Sequence, residues 1–140
     1  MPTMAKEATL LSREAKDESG VIMRELLDHV GDTFTLKITL RLNEGAAGLH
    51  ELRHSVDGIS ERKLASALRQ LLRNGLATRK HSETFPSRAL YSLTPLGALF
   101  LEQVAGLMRW VDTHGAEIKS ARNQFKDRSY KWLGASRLHS

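Results

Sequence analysis

The spacing of apolar residues along the chain predicts four helices. These cover residues 20–31, 49–56, 60–74 and 95 to about 126. Within each of them apolar side chains recur at intervals of three and four residues, which places them on one face of a helix. Gly75 can end the third helix, and Thr94-Pro95 is a strong start for the fourth, with threonine as the N-cap.

A different pattern occupies residues 33–42, where apolar and polar residues alternate strictly. Period two is typical of a β-strand, so these residues by themselves predict a strand. Residues 76–81 and 88–93 predict two further strands. Pro86 lies between them and favours a turn over regular pairing.

The order of these elements predicts the fold. A short helix, a tight turn at Asp57-Gly58 and a second helix form a helix-turn-helix, and a β-hairpin directly after it makes the winged variant. The predicted class is mostly α (α+β), with a two-stranded β-wing and terminal helices. We predict a polar N-terminal arm at 1–19, the winged domain with its last helix at 20–126, and a basic mobile tail at 127–140.

Length and composition exclude several classes of protein. With 140 residues, 41% of them hydrophobic, the chain suits one domain with one core. No apolar run approaches the roughly 20 residues of a membrane span, and the first twenty residues lack the apolar stretch of a signal peptide. We therefore predict a cytoplasmic, nucleoid-associated protein without a membrane partner. Because cysteine is absent, disulfides, cysteine zinc sites and thiol redox sensing are excluded, and no cofactor is predicted.

Basic residues are concentrated in two blocks. Residues 60–90 carry 7 Lys/Arg against 2 Asp/Glu, a net of +5, and residues 119–140 carry 6 against 1, also +5. The remainder is mildly acidic, with −3 over residues 1–59 and −2 over residues 91–118. Clustered bases favour a polyanionic partner, although solubility alone explains such blocks about as often.

The helix at 60–74 is apolar on one side and basic on the other. Its apolar stripe consists of Leu64, Leu68, Leu71 and Leu72. The opposite face carries Arg62, Ser66, Arg69 and Arg73. Many solvated amphipathic helices also place arginine opposite leucine, so this helix alone leaves both interpretations open. The basic hairpin that follows favours DNA.

We predict that this helix and hairpin bind duplex DNA, because arginine pairs bidentately with guanine edges and with phosphate oxygens. The residues predicted to meet base edges are Arg62, Ser66 and Arg69. Those predicted nearer to phosphates are Ser60, Lys63 and Arg73. On the wing, contact with the backbone or the minor groove is predicted for Arg79, Lys80, His81 and Arg88.

A competing motif runs from His50 to His54, which read His-Glu-Leu-Arg-His as in zinc hydrolases. Two histidines one helical turn apart can share a metal, with Glu51 as the base. Such a site needs a third ligand, and the extended motif would place glycine and histidine where Asp57 and Ser60 stand. We therefore predict no metal site, no catalytic site and no enzyme, and expect exposed histidines near the DNA backbone.

Two stretches of the chain follow a specific pattern in order and spacing. The first consists of Glu51-Leu52-Arg53, Gly58-Ile59-Ser60, Leu64, Leu68, Leu71 and Gly75-Leu76. The second consists of Pro86, Ala89, Tyr91, Leu93, Thr94 and Gly97. Together they resemble the HxlR-type family of bacterial winged helix-turn-helix transcription regulators, relatives of the MarR type, over most of the chain from about Val21 to Phe125.

The resemblance changes the prediction for residues 33–42, and the departures from the family pattern exclude two family features. It implies that the segment at 33–42 is a buried helix, which overrules the alternating pattern. It also implies that two copies of the chain form a dimer through their terminal helices. Val21 stands where the family often has a cysteine used for redox sensing, so that mechanism is excluded here. Asp32-Thr33-Phe34 replaces the common Gly-Lys-Trp, so no DNA contact is predicted there.

The last helix carries more apolar surface than one core face needs, which favours a second copy of the chain as partner over deep burial in a single core. The residues predicted to form the dimer are Ile22, Leu26, Leu101, Val104, Met108, Val111, Ile118 and Phe125. A two-fold dimer would bind half-sites roughly 34–36 Å apart.

The sequence thus predicts a sequence-specific, homodimeric DNA-binding regulator, a repressor, acting on a pseudo-palindromic operator. Two alternatives remain open: a non-specific or architectural nucleic-acid binder that uses the basic tail, and a protein-interaction module. The sequence also leaves room for an unidentified small-molecule effector, but it shows no polar constellation that would define one.

Overall fold

The fold was analysed in a computed structural model that describes residues 17–85 and 87–138. The described elements, in chain order, are α1 (Glu18–Gly31), α2 (Thr33–Asn43), α3 (Leu49–Ser55), α4 (Glu61–Arg73), β1 (Ala77–His81), β2 (Ala89–Leu93) and α5 (Pro95–Leu138). The mostly α winged helix-turn-helix predicted from the sequence is confirmed. Most of the predicted N-terminal arm lies outside the described residues. No helix in the described ranges combines the length and the apolar character that crossing a membrane requires.

Helix α2 replaces the strand that the alternating pattern indicates. Its buried face consists of Thr35, Ile38, Thr39 and Leu42, at helical intervals of three, one and three. The Thr39 hydroxyl donates to the carbonyl oxygen of Thr35 at 2.7 Å, so a polar residue is satisfied inside the core. Because threonine occupies two of the buried positions, the apolar residues alone do not show which face of the helix is buried.

Helices α3 and α4 form the helix-turn-helix. Gly58 lies in the turn with φ +78°, a conformation that favours glycine. The Ser60 hydroxyl accepts the N–H of Lys63 at 3.0 Å and caps α4. The spacing in α3 predicts that Leu49 and Leu52 both face inward. Leu52 is buried, but Leu49 is 49% exposed and does not face inward. It lies at the first position of α3, at the edge of the core.

The wing is an antiparallel pair of strands with Ala77 opposite Leu93 and His81 opposite Ala89. Ala47, in the segment before α3, adds a short third rung through two backbone hydrogen bonds with Tyr91, of 2.9 and 2.8 Å. The wing is therefore attached on one side to the end of α4 and on the other to the start of α3.

One core unites the elements up to residue 101. The residues with least exposure are Ile38, Leu52, Leu64, Leu71, Val56 and Thr39. The chain divides into two compact units, the first ending at Leu101 and the second beginning at Glu102. The second unit consists of the rest of α5. The predicted helix end near residue 126 is wrong, because α5 continues through Gly115 to Leu138 and includes most of the predicted tail.

Candidate nucleic-acid interface

The outward face of α4 is built as the helical wheel predicts. Leu64, Leu68 and Leu71 are buried against the core. On the opposite side, the exposed residues are Arg62, Ser66, Arg69 and Arg73. Burying one stripe of the helix therefore orients the other stripe towards solvent, where a duplex can reach it.

On α4, two of the predicted basic residues have acidic partners within the chain. The ammonium of Lys63 contacts the carboxylate of Asp32, and a guanidinium nitrogen of Arg73 lies 3.2 Å from Glu25 Oε1. In the ranges that the structure describes, Arg62 and Arg69 form no ion pair. The positive charge that is free for a polyanion is thus centred on the middle of α4.

The wing contributes basic residues along β1. Arg79, Lys80 and His81 are all exposed. Arg88, directly before β2, differs from them because its guanidinium donates to the carboxylate of Glu51 on α3. The structure thus brings Arg79, Lys80 and His81 together on one strand and ties Arg88 to a different helix.

An open cleft separates α4 from the wing. Its volume is about 840 Å³, and it is lined by Leu49, Ala65, Leu68, Arg69, Leu72, Arg73, Arg79 and Tyr91. Arg69 from the helix and Arg79 from the strand therefore share the same concave surface. The exposure of Leu49 is explained by its position on the cleft wall. A groove with an apolar floor and arginine walls suits a sugar-phosphate backbone.

A second cleft, of about 310 Å³, lies on the other side of α4, against α1 and α2. It contains the carboxylates of Glu25, Asp28 and Asp32 beside the cations of Lys63 and Arg73. Partial burial alone would raise the pKa of Asp32. The hydrogen bond from Lys63 and the backbone N–H groups that Asp32 caps outweigh this effect and hold the pKa below its usual range.

His29 is the buried titratable group of this cleft, with 7% exposure. Burial lowers its pKa, although the nearby carboxylates of Glu25, Asp28 and Asp32 oppose the shift. Its Nε2 lies 3.1 Å from the amide nitrogen of Asn74, an arrangement in which a neutral imidazole accepts from the amide. His29 thus connects α1 to the residue that ends α4.

The zinc-hydrolase motif has no support in the described part of the chain. The rings of His50 and His54 pack edge to face with centroids 4.4 Å apart. Glu51 is already occupied, since its carboxylate accepts the N–H of Gly48 and pairs with Arg88. Within the described ranges, no group of three or more His, Cys, Asp or Glu residues could hold a metal ion. Both histidines are exposed, as expected.

The predicted dimerisation residues differ in exposure. Leu101 and Val104 are buried. Leu26 is half-buried and packs against the core, and Ile118 is also half-buried. The exposed members, with 47% to 70% of their surface accessible, are Ile22, Met108, Val111 and Phe125.

Sequence reasoning missed the acidic partners Glu25, Asp32 and Glu51. Each pairs with a base far along the chain; Lys63 and Asp32, for example, are 31 residues apart. Two of them nevertheless carry a local signal. Asp32 directly precedes α2 as its N-cap, and Glu51 is the third residue of α3, where a carboxylate reaches back to the preceding backbone.

A helix-turn-helix followed by a basic wing defines a transcriptional regulator of the winged helix-turn-helix class, with a DNA-binding fold. The comparisons with known proteins identify the family. The sequence model of the HxlR-like helix-turn-helix matches residues 17–119, and the chain belongs to this family. Its members are transcriptional regulators, relatives of the MarR type, and not enzymes.

Individual relatives agree with this assignment. The HTH-type transcriptional regulator YtfH of Escherichia coli K12 is 35% identical over 101 residues, which cover 72% of this chain and 80% of that protein. The structure of YtfH from Salmonella typhimurium superimposes with a TM-score of 0.59 at 32% identity, covering 72% of this chain and 90% of that one. A MarR-family regulator from Enterococcus faecalis V583 gives a TM-score of 0.61 at 28% identity, covering 76% and 96%.

Proposed function

We propose that this protein is a sequence-specific regulator that binds a pseudo-palindromic operator as a homodimer and represses transcription by occupying it. The observation that carries the proposal is the outward face of α4, where Arg62 and Arg69 are exposed and form no ion pair within the described ranges. A helix with such a face fits the major groove, in which arginine can distinguish guanine from the other bases. Acting on chromosomal DNA, the protein would work at the nucleoid.

Each part of the interface has a distinct role in this proposal. Arg62, Ser66 and Arg69 meet base edges. Phosphates are contacted by Ser60, Lys63 and Arg73. The positive charges of Lys63 and Arg73 are then divided between a phosphate and the carboxylates of Asp32 and Glu25. On the wing, Arg79 lies across the cleft from α4. Together with its strand neighbours Lys80 and His81, it follows the backbone or the adjacent minor groove.

The dimer would be formed through exposed apolar surface on two helices. On α1, this surface consists of Val21, Ile22, Met23 and Leu27. On the part of α5 that follows Leu101, it consists of Leu107, Met108, Trp110, Val111 and Phe125. A monomer rarely leaves so many large apolar side chains in water, and a second copy of the chain supplies the same surface in return.

Sedimentation equilibrium tests the dimer. Met108→Asp is expected to convert the wild-type dimer to a folded monomer, because a charge would enter the apolar contact. Gln103→Asp adds the same charge at an exposed polar position of α5 and serves as the control. A wild-type protein that sediments as a monomer at micromolar concentration would contradict this part of the proposal.

Selection from a pool of random duplexes tests the operator. The full-length protein is incubated with the pool, bound DNA is amplified, and the enriched sequences are determined over several rounds. We expect two inverted half-sites with centres roughly 34–36 Å apart. Retention of DNA without an enriched motif would favour the non-specific binder, and retention of no DNA would favour the interaction module.

A further inference from the structure

We propose that Glu51 is a positioning residue for the wing. Through Arg88 it holds the turn end of the wing against α3, and in this way it determines where Arg79 and Lys80 meet DNA. Arg88 then acts on the protein rather than on the duplex. The inference rests on the proposed DNA binding, but its structural half can be tested without DNA.

The contacts of Glu51 link two parts of the fold that are distant in sequence. Its Oε2 accepts the backbone N–H of Gly48, and its Oε1 accepts from Nη2 of Arg88, 37 residues further along the chain. Both bonds involve a charged group, which makes them stronger and more directional than neutral ones. One carboxylate therefore caps α3 and fixes the side chain of Arg88 at the same time.

Arg88 in turn organises the turn of the wing through its backbone. Its N–H donates to the carbonyl oxygen of Phe85 at 2.8 Å, and its own carbonyl oxygen accepts the N–H of Ser82 at 2.7 Å. Arg88 thus joins the side-chain contact with α3 to the backbone contacts that close the hairpin. A shift of Arg88 would be transmitted to the end of β1, where Lys80 and His81 lie.

Gly48 leaves room for this arrangement. A Cβ added at Gly48 would lie 2.8 Å from Oε2 of Glu51 and 3.2 Å from Nε of Arg88. Its backbone, with φ −88° and ψ 176°, is accessible to alanine. Gly48→Ala would therefore fold and displace the ion pair while keeping both charges.

The sign of one substitution separates positioning from direct DNA contact. Glu51→Gln keeps an oxygen that can accept the Gly48 N–H but loses the charge that holds Arg88. If Arg88 contacted phosphate, this change would release a cation and tighten DNA binding. If Glu51 positions the wing, the change weakens DNA binding. An exposed ion pair contributes little to global stability, so the variant should remain folded.

Hydrogen–deuterium exchange on the protein without DNA tests the structural half. We expect faster exchange at the amides of Ser82 and Arg88 in Glu51→Gln, Arg88→Met and Gly48→Ala, with unchanged exchange in the core of α4. Glu61→Gln, which breaks a different exposed ion pair with Arg53, serves as the control and should exchange at both amides as the wild type does. Wild-type exchange in all three variants would overturn the proposal, whether or not the protein binds an operator.

A double-mutant cycle on the enriched operator tests the functional half. Arg79→Ala is expected to weaken binding about tenfold in the wild-type background and less than twofold in the Glu51→Gln background, because the wing is already misplaced there. Equal losses in the two backgrounds, or tighter binding by Glu51→Gln alone, would overturn the positioning role and assign Arg88 to the DNA.

Discussion

The guanidinium of Arg73 at the end of α4 lies 3.2 Å from the carboxylate of Glu25 on α1. The charge that Arg73 could offer to a phosphate is therefore partly neutralised within the chain. The charge of Lys63 is also partly neutralised, because Lys63 pairs with Asp32 in the cleft between α4 and helices α1 and α2. In the proposed function, we expect these acids to limit the affinity for any polyanion and to leave the difference between sequences to Arg62 and Arg69, which form no ion pair within the described ranges.

Glu25→Gln is expected to strengthen binding to DNA of any sequence. The released Arg73 would neutralise one more phosphate, so the slope of log affinity against log salt steepens by up to about 0.9. Titration of a scrambled duplex at several salt concentrations measures this slope. Glu44→Gln removes the same charge at an exposed position outside the cleft and controls for net charge. An equal gain in both variants would show that the ion pair does not restrain Arg73.

Arg69 is predicted to read a base. Arg69→Ala should cost about 1–3 kcal/mol on the enriched operator and much less on scrambled DNA. Arg69→Lys keeps the charge but loses the bidentate geometry, so it should restore scrambled binding without restoring operator preference. Binding isotherms on both duplexes give these values. Equal losses on the two duplexes would assign Arg69 to a phosphate.

Alanine substitutions at Gly97 and Gly115 should have opposite effects on the free energy of unfolding. A Cβ at Gly97 would overlap the carbonyl oxygen of Leu76 and lie 2.6 Å from Cδ1 of Leu93, whereas a Cβ at Gly115 meets nothing within 4 Å. Gly97→Ala should therefore lower the free energy of unfolding by about 1–3 kcal/mol. Gly115→Ala should raise it by roughly 0.5–1 kcal/mol, because alanine is the better helix former. Urea unfolding measures both changes, and a stable Gly97→Ala would show that the backbone there has room to move.

Because His29 is buried, the free energy of unfolding should fall in mild acid. Its pKa in the folded protein is below the ordinary 6.5, mainly because it is buried. Between 6.5 and the lower folded value the unfolded chain binds a proton that the folded chain does not, so the free energy of unfolding falls as the pH drops below about 6.5. His29→Gln, which can still accept from Asn74, should flatten the profile, as followed by urea unfolding from pH 8 to 5. His50→Gln, at an exposed position, should retain the wild-type profile; an unchanged profile in His29→Gln would contradict the assignment.

The sequence predicts the outward face of α4 because burial and charge there follow one helical period. It misleads at α2, where Thr35 and Thr39 occupy core positions and bond to the main chain, so that the apolar letters alternate by coincidence. The pairing of Glu51 with Arg88 depends on how α3 meets the wing. No local pattern carries that information, so the sequence predicts Arg88 as a DNA contact from its charge and its place on the wing alone.

Recognition of a particular DNA sequence by the outward face of α4 is the centre of the proposed function. Fluorescence anisotropy of the full-length protein on the enriched duplex and on a scrambled duplex of the same composition, at about 50 and 200 mM salt, tests it most directly. We expect a preference of roughly 10³-fold or more that persists at both salt concentrations while both affinities fall with salt. Equal affinity for the two duplexes would contradict it.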